Sequence, residues 1–345
     1  MQSIQGLLIK GMQINSAVPP PPPPPGSPLY GTISGYSSGG GTDPSLPGST
    51  NVIEKFPFAS DSNSTDVGDL NISLLLLTGN SSDTNGYTWA GAAGAPPGTP
   101  LTGYAFADSG ARYHNKFPFA TDTNSTLIAT YAGVSVQGSA SISSPDKGYM
   151  AGNLQTLSAS QIRSYPFASE TTINNSVGLT TRAVVMGGIS STANGYTVGG
   201  RGTPPAYTVQ NVIDKFPFAT NANAADVGDL TAVRTNICGV SSVSYGYAAG
   251  GQGSSPTQTG PVTNIIDKFP FASDSNATDV GDLATALSQS TDNSSSSQGY
   301  VVGGGTPSPN ADSTKIQKFP FASDSNSTNV ADLLAGKTAS SPQNN

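Results

Sequence analysis

The feature that most constrains this chain is a phrase it keeps repeating. Residues 265–283 read IIDKFPFASDSNATDVGDL, with near copies at 52–70, 212–230 and 315–333 and looser ones between. Each copy carries an aromatic-Pro-Phe triplet whose first aromatic is Phe56, Phe117, Tyr165, Phe216, Phe269 or Phe319, at steps of 61, 48, 51, 53 and 50 residues. A Gly-Tyr dipeptide precedes each triplet, at Tyr36, Tyr87, Tyr149, Tyr196, Tyr247 and Tyr300. Such a period means one supersecondary unit of about fifty residues, repeated along most of the chain.

Within a unit the pattern is that of strands. The fifth copy, residues 229–282, reads DLTAVRTNICGVSS, then YGYAAGG, then NIIDKFPFAS, then DSNATDVGDL: four short runs rich in β-branched and aromatic residues, separated by turn formers. In the third run one parity holds Ile266, Lys268 and Pro270 and the other Asp267, Phe269 and Phe271, so both faces are bulky and both need cover. Four-stranded sheets arranged radially supply that cover on both sides. Proline removes a ladder donor and suits the outer half of such a sheet, while the Gly-Gly after the tyrosine suits crowded backbone between neighbours. Composition agrees: Gly (41) and Pro (27) are abundant and charged residues make up only 10%, which leaves few helix formers.

The order tyrosine, two residues, Gly-Gly, loop, aromatic strand and short final strand resembles the kelch type of β-propeller repeat, with Phe-Pro-Phe where that family places Tyr-Asp. The resemblance spans residues 29 to about 340. It departs from the family in lacking the tryptophan of the last strand, and in reading Ala90-Gly91 and Gly152-Asn153 where Gly-Gly belongs. The FPFASDSNATDVGDL phrase is also similar to repeats in uncharacterised proteins of marine bacteriophages and cyanophages, several of which look like virion structural components. These resemblances imply an all-β, six-bladed propeller of four-stranded blades at 29–341, set on a virus particle in multiple copies. A seventh blade or an open solenoid stays open at this point.

The ends of the repeat suggest how a ring would close. The first unit has its Gly35-Tyr36 strand but little room before it for an inner strand, while LAGKTASSP after Leu333 matches TAVRTNICGVSS in position and in its Ser-Ser ending. We therefore expect residues 334–341 to form the innermost strand of the blade begun by residues 30–41, with 342–345 as a tail. Such closure removes free sheet edges.

A turn that hardly varies from unit to unit, ASDSNSTD, joins the third and fourth strands, whereas the loop between the second and third strands differs in every unit. Repetition marks scaffold and variety marks room for partner contacts. The longest variable loop brings Tyr104, Phe106, Arg112, Tyr113 and His114, and the fourth unit adds Tyr207; aromatics and arginine dominate interface energies, so these are the candidate binding residues. The other reading is that Tyr104 and Phe106 only pin a long loop to the ring.

Chemistry finds little to work with. One histidine, one cysteine and five arginines scattered over the units (Arg112, Arg163, Arg182, Arg201 and Arg234) make neither a copper or zinc site nor a catalytic frame, and no cofactor is expected. Cys238 reads as a small buried strand residue. The turn oxygens of Asp61, Asn63, Asp66 and Asp69, or of Asp274, Asn276, Asp279 and Asp282, would suit calcium in kind but lack the spacing of a twelve-residue calcium loop; Asx turns account for them equally. A net charge of -7 argues against nucleic acid and anionic membranes, and no apolar run reaches the roughly 18 residues that span a bilayer.

Residues 1–18 have no basic residue ahead of their apolar stretch and resemble a secretory signal poorly. Ile4, Leu7, Leu8, Ile9, Met12 and Ile14 form a short apolar segment, and Pro19 to Pro25 beyond it form a stiff rod of roughly 22 Å. We expect an anchor peptide held by other virion proteins, a polyproline linker at 19–28, and a non-enzymatic propeller that serves assembly or attachment to a host receptor or glycan. A carbohydrate-active propeller enzyme and a purely architectural decoration are the competing expectations.

Overall fold

The computed structural model describes residues 30–43, 48–89, 92–93, 112–131, 138–152, 160–170, 174–181, 184–202, 208–220, 222–254, 260–307 and 311–345. Their regular structure is β-strand, in six antiparallel sheets arranged as the blades of a closed propeller. The fifth blade runs outward through Cys238–Ser241, Tyr245–Ala249, Ile265–Pro270 and Thr278–Asp282, in that order. Blades two, three, four and six repeat this meander, and the innermost strands of successive blades pack on one another around an axis. In every blade the pairing of third and fourth strands slips by one residue at the same place, as at Ile266/Asp267, so a β-bulge is part of the repeat.

The aromatic triplets wedge the blades as expected. Phe56, Phe117, Tyr165, Phe216, Phe269 and Phe319 are all buried, and each triplet receives the tyrosine of the preceding blade. Tyr36 lies on Phe117 and Phe119, Tyr87 on Tyr165 and Phe167, Tyr149 on Phe216 and Phe218, Tyr196 on Phe269 and Phe271, and Tyr247 on Phe319 and Phe321. Tyr300 then stacks on Phe58 at 4.9 Å and tilts against Phe56, which brings the sixth blade back to the first and excludes an open solenoid. The glycine before each tyrosine is obligatory: a Cβ on Gly246 would lie 2.4 Å from the Phe269 ring.

Closure uses the C-terminal end of the sequence, in a register different from the expected one. The innermost strand of the first blade is Ser341–Asn344, paired with Ser34–Ser38, and not residues 334–341. The supposed tail is the strand. Ser340-Ser341 resembles the Ser-Ser that ends other inner strands, but the equivalent positions are filled by Asn344-Asn345, and the Asn345 carbonyl accepts the amides of Thr32, Ile33 and Ser34. Asparagine offers a side-chain oxygen where the other blades offer a serine hydroxyl, so the two are interchangeable as acceptors.

The repeated turn locks each blade to the one before it. Asn276 Oδ1 in the fifth-blade turn accepts the Asp229 amide of the fourth blade at 3.0 Å, and the Ala277 amide donates to the Asp229 carbonyl at 2.8 Å. Asn63, Asn124, Asn223 and Asn326 make the same bond to Asp332, Asp69, Gly178 and Asp282. The turn aspartate pairs with the lysine of the preceding KFPF: Lys55 with Asp122 at 3.0 Å, Lys215 with Asp274, Lys268 with Asp324 and Lys318 with Asp61 at 2.5 Å, with Glu170 taking the same part toward Lys116 at 2.7 Å. Between blades three and four both partners change together, to Ser164 and Asn221. Gly281 of VGD permits the close approach, since its φ is +156° and a Cβ would sit 2.8 Å from the Ser325 backbone.

These clasps set a measurable expectation. Exposed pairs contribute about 0.2–1 kcal/mol each, so a double-mutant cycle over Lys268→Ala and Asp324→Ala should give a coupling in that range that shrinks with added salt. Asn276→Ala, which strips an amide of its acceptor, should cost about 1 kcal/mol and be indifferent to salt.

Candidate functional site

Three places in the ring could carry chemistry: the variable-loop face, the interior between blades, and the axis. The variable face is the one from which the second-to-third loops and the connections between blades emerge together. Gly-Gly fixes that edge. Gly199-Gly200, Gly250-Gly251 and Gly303-Gly304 take left-handed φ values near +60° and then +95° to +101°, and the second amide of each pair donates to the connection, to Arg234, Leu287 and Lys337 carbonyls at 2.8, 2.8 and 2.7 Å. Only glycine holds such a pair without strain.

Of the expected binding residues, Tyr104, Phe106 and Tyr207 lie outside the described residues, as do the anchor residues Ile4, Leu7, Leu8, Ile9, Met12 and Ile14 and the linker. Arg112 begins the third strand of blade two, Arg112–Pro118, and is paired with Tyr131, so it belongs to the sheet. Tyr113 follows it, half-buried. His114 is not a surface contact: it is fully buried in the position that Ile53, Ile162, Ile213, Ile266 and Ile316 occupy elsewhere. Its ring stacks on Trp89 at 3.9 Å and meets Tyr165 edge-on at 4.6 Å. Burial pushes the imidazole down to about 3, so it is neutral at any physiological pH and serves as an aromatic filler.

Between blades lies a set of buried charges that the sequence reading passed over. The residue before the KFPF lysine faces the connection from the preceding blade. Asp267 accepts the Thr231 amide at 3.0 Å and hydroxyl at 2.7 Å, and pairs with Arg234 at 2.6 Å, both side chains being fully buried. Arg234 also donates to the Gly250 and Ile265 carbonyls. Glu54 repeats the arrangement with Lys337 at 2.8 Å, the Leu334 amide at 2.9 Å and the Ser64 hydroxyl. Where the connection carries Leu287 instead of a cation, the facing residue is the neutral Gln317, bonded to the Thr285 amide. In these three connections charge meets charge or neutral meets neutral, a signal that could have revealed the pairs, whereas Asp214 keeps its bonds to the Thr180 amide and hydroxyl although the sequence has Ala183 in the cation's place.

At the axis the innermost strands are joined by a belt of hydrogen bonds that runs the whole way round. The amides of Ser81, Ser143, Ser190 and Ser241 donate to the hydroxyls of Ser143, Ser190, Ser241 and Ser294 at 3.0–3.2 Å. The Ser294 amide donates to Asn344 Oδ1 at 3.0 Å, and the Asn344 amide returns to the Ser81 hydroxyl at 2.9 Å. The second serine of each pair, such as Ser191 or Ser242, caps the following hairpin. Toward the variable face, Leu76, Gly138, Val185, Asn236, Gln289 and Ala339 each take a left-handed φ of 50–65° at the entry to an innermost strand. Backbone amides pass from Ala339 to Gln289, Gln289 to Asn236, Asn236 to Val185 and Val185 to Gly138. A β-branched residue in that conformation, Val185, is held there by its neighbours against its own preference.

The acidic turns do not gather oxygens for a metal. Asp61 pairs with Lys318, Asn63 with the Asp332 amide, and Asp66 caps the Gly68 amide of its own turn. Among the described residues no group of three or more His, Cys, Asp and Glu could hold a metal ion. Cys238 is buried in its strand, as expected.

No protein-family model and no curated protein matches the chain. A solved structure, that of YjhT, is similar with a TM-score of 0.55 over 79% of this chain and 88% of its own, at 11% identity. At that identity the likeness speaks for the propeller fold alone.

Proposed function

We propose that this propeller is a non-enzymatic binding and assembly module of a virus particle, displayed on the tail or capsid exterior, which meets a host receptor or glycan through its variable-loop face. One observation carries the reading: the repeated acidic turns, the most obvious chemical motif in the sequence, use their carboxylates and amides to clasp one blade to the next. Repetition is thereby explained by architecture, which leaves the diversified loops as the surface where partner specificity is free to differ. The virion setting rests on the likeness of the FPFASD phrase to phage repeat proteins, and the anchor role on the apolar residues ahead of the polyproline stretch.

The test uses the full chain. On an array of host surface polysaccharides the protein is expected to bind without releasing sugar fragments, and a variant whose residues 94–111 are replaced by the short NLQTLSASQ loop is expected to lose binding while its melt is unchanged. Glycan cleavage would favour the carbohydrate-active enzyme. Absence of any host-surface binding, with particle assembly dependent on the protein, would favour the architectural role. Deleting residues 1–18 should abolish incorporation into particles and leave the ring folded.

A further inference from the structure

Two cavities lie end to end along the axis of the ring. The wider, about 90 Å³, lies at the variable-face end beneath the left-handed residues; the narrower, about 40 Å³, lies within the serine belt. Ser141, Gly188, Asp292 and Pro342 line both, so Asp292 stands where the two meet. At its level the other innermost strands carry Gly79, Ser141, Gly188, Gly239 and Pro342. The level is crowded with backbone oxygens: a Cβ on Gly79, Gly188 or Gly239 would come within 2.1–2.3 Å of the Pro342, Ser141 or Gly188 carbonyl oxygen. Among the described residues lining the two cavities, Asp292 carries the only ionisable side chain, and hydroxyl, amide and carbonyl groups supply the rest.

We propose that the axial channel is a site for a hard, oxygen-preferring cation of the calcium, magnesium or sodium kind, with the Asp292 carboxylate as its anionic ligand and the belt hydroxyls orienting its remaining waters. Three observations argue for it. A carboxylate among carbonyl and hydroxyl oxygens is a donor set for hard cations and offers nothing soft to zinc or copper. A water needs roughly 10–15 Å³ of such space, so the wider cavity has room for an ion together with part of its hydration shell. The Ser190, Ser241 and Ser294 hydroxyls each accept one backbone amide, which fixes the oxygen while leaving a lone pair and a proton for water in the channel. Burial pushes the Asp292 carboxyl up to about 8.

The experiment is calorimetric titration of the metal-stripped full chain at pH 7.5 with calcium, magnesium and sodium chlorides. The expected result is one site per chain for at least one of the three ions, weakened at least tenfold by Asp292→Asn and unaffected by Asp274→Asn in the surface turn. Because Asp292→Asn keeps shape and removes only the acid, its melt should be no lower than that of the parent, which keeps the comparison between folded proteins. Equal affinity in Asp292→Asn, loss in Asp274→Asn, or no site up to about 10 mM of any of the three would overturn the proposal.

Discussion

A chain lacking residues 341–345 is expected to melt roughly 10 °C or more below the parent and to self-associate on heating. The deletion removes the innermost strand of the first blade, the Asn344 link of the serine belt, and the Asn345 carbonyl that ties down the amides of Thr32, Ile33 and Ser34. It also removes Gln343, which reaches the second blade by donating to the Tyr87 carbonyl and holds its own blade by accepting from the Ser38 hydroxyl. At about 1 kcal/mol per hydrogen bond the loss approaches the whole stability of an ordinary domain, about 5–15 kcal/mol. What remains is a first blade whose strand Ser34–Ser38 presents an unpaired edge to the axis, a template for pairing with another chain. Differential scanning calorimetry measures the first effect and light scattering the second. A peptide of residues 334–345 added in trans should restore part of the melt. Point variants locate the cause: Asn344→Ser keeps an acceptor of the kind the other five blades use and should remain close to the parent, while Asn344→Ala breaks the belt and should cost about 1–3 kcal/mol. An unchanged melt after the deletion would mean that the ring is held shut by the remaining contacts of the first blade, Tyr300 on Phe56 and Phe58, Lys318 with Asp61 and Glu54 with Lys337 among them.

The sequence makes the architecture legible because the repeat is written in side-chain size. Gly before Tyr, and the Phe-Pro-Phe of the same blade, are a cavity and its filler, and bulky groups on both faces of one strand imply neighbours on both faces. The closing register was illegible for a chemical reason: Ser340-Ser341 imitates the Ser-Ser of other inner strands, and nothing local says that Asn344-Asn345 replaces it. The belts and clasps join residues about fifty apart, and each donor finds its acceptor only once the ring is closed. Even so, the simultaneous change of Lys to Ser164 and Asp to Asn221 is a compensating pair within a single chain. His114 was misread because a histidine beside Arg and Tyr at the end of a long loop looks like a contact, whereas its place in the repeat is that of a core isoleucine. Asp292 was passed over for the opposite reason, as one acid among many in a repeat rich in them. Its distinction is positional, facing a channel instead of a neighbouring blade's lysine.

Asp267→Ala is expected to destabilise the ring by about 3–5 kcal/mol, a fall of roughly 6 °C in Tm, although it deletes only a few atoms. The cost arises from what is left behind. Arg234 is fully buried, and burial already pulls its guanidinium down against the opposing pull of Asp267; without the carboxylate a cation remains where water cannot reach it, and the Thr231 amide and hydroxyl lose their acceptor as well. The sixth blade indicates the remedy, since Leu287 stands where Arg234 does and faces the neutral Gln317, which still serves the connecting amide. Importing that solution, Arg234→Leu with Asp267→Gln, should recover most of the loss in the double variant, because an apolar pair with one satisfied amide needs no desolvated charge. The two single variants should therefore be strongly non-additive, with the double variant lying nearer the parent than either. Denaturant unfolding of the four proteins measures the coupling. Additive losses would mean that Arg234 and Asp267 act independently on the connection and that their pairing has no energetic basis.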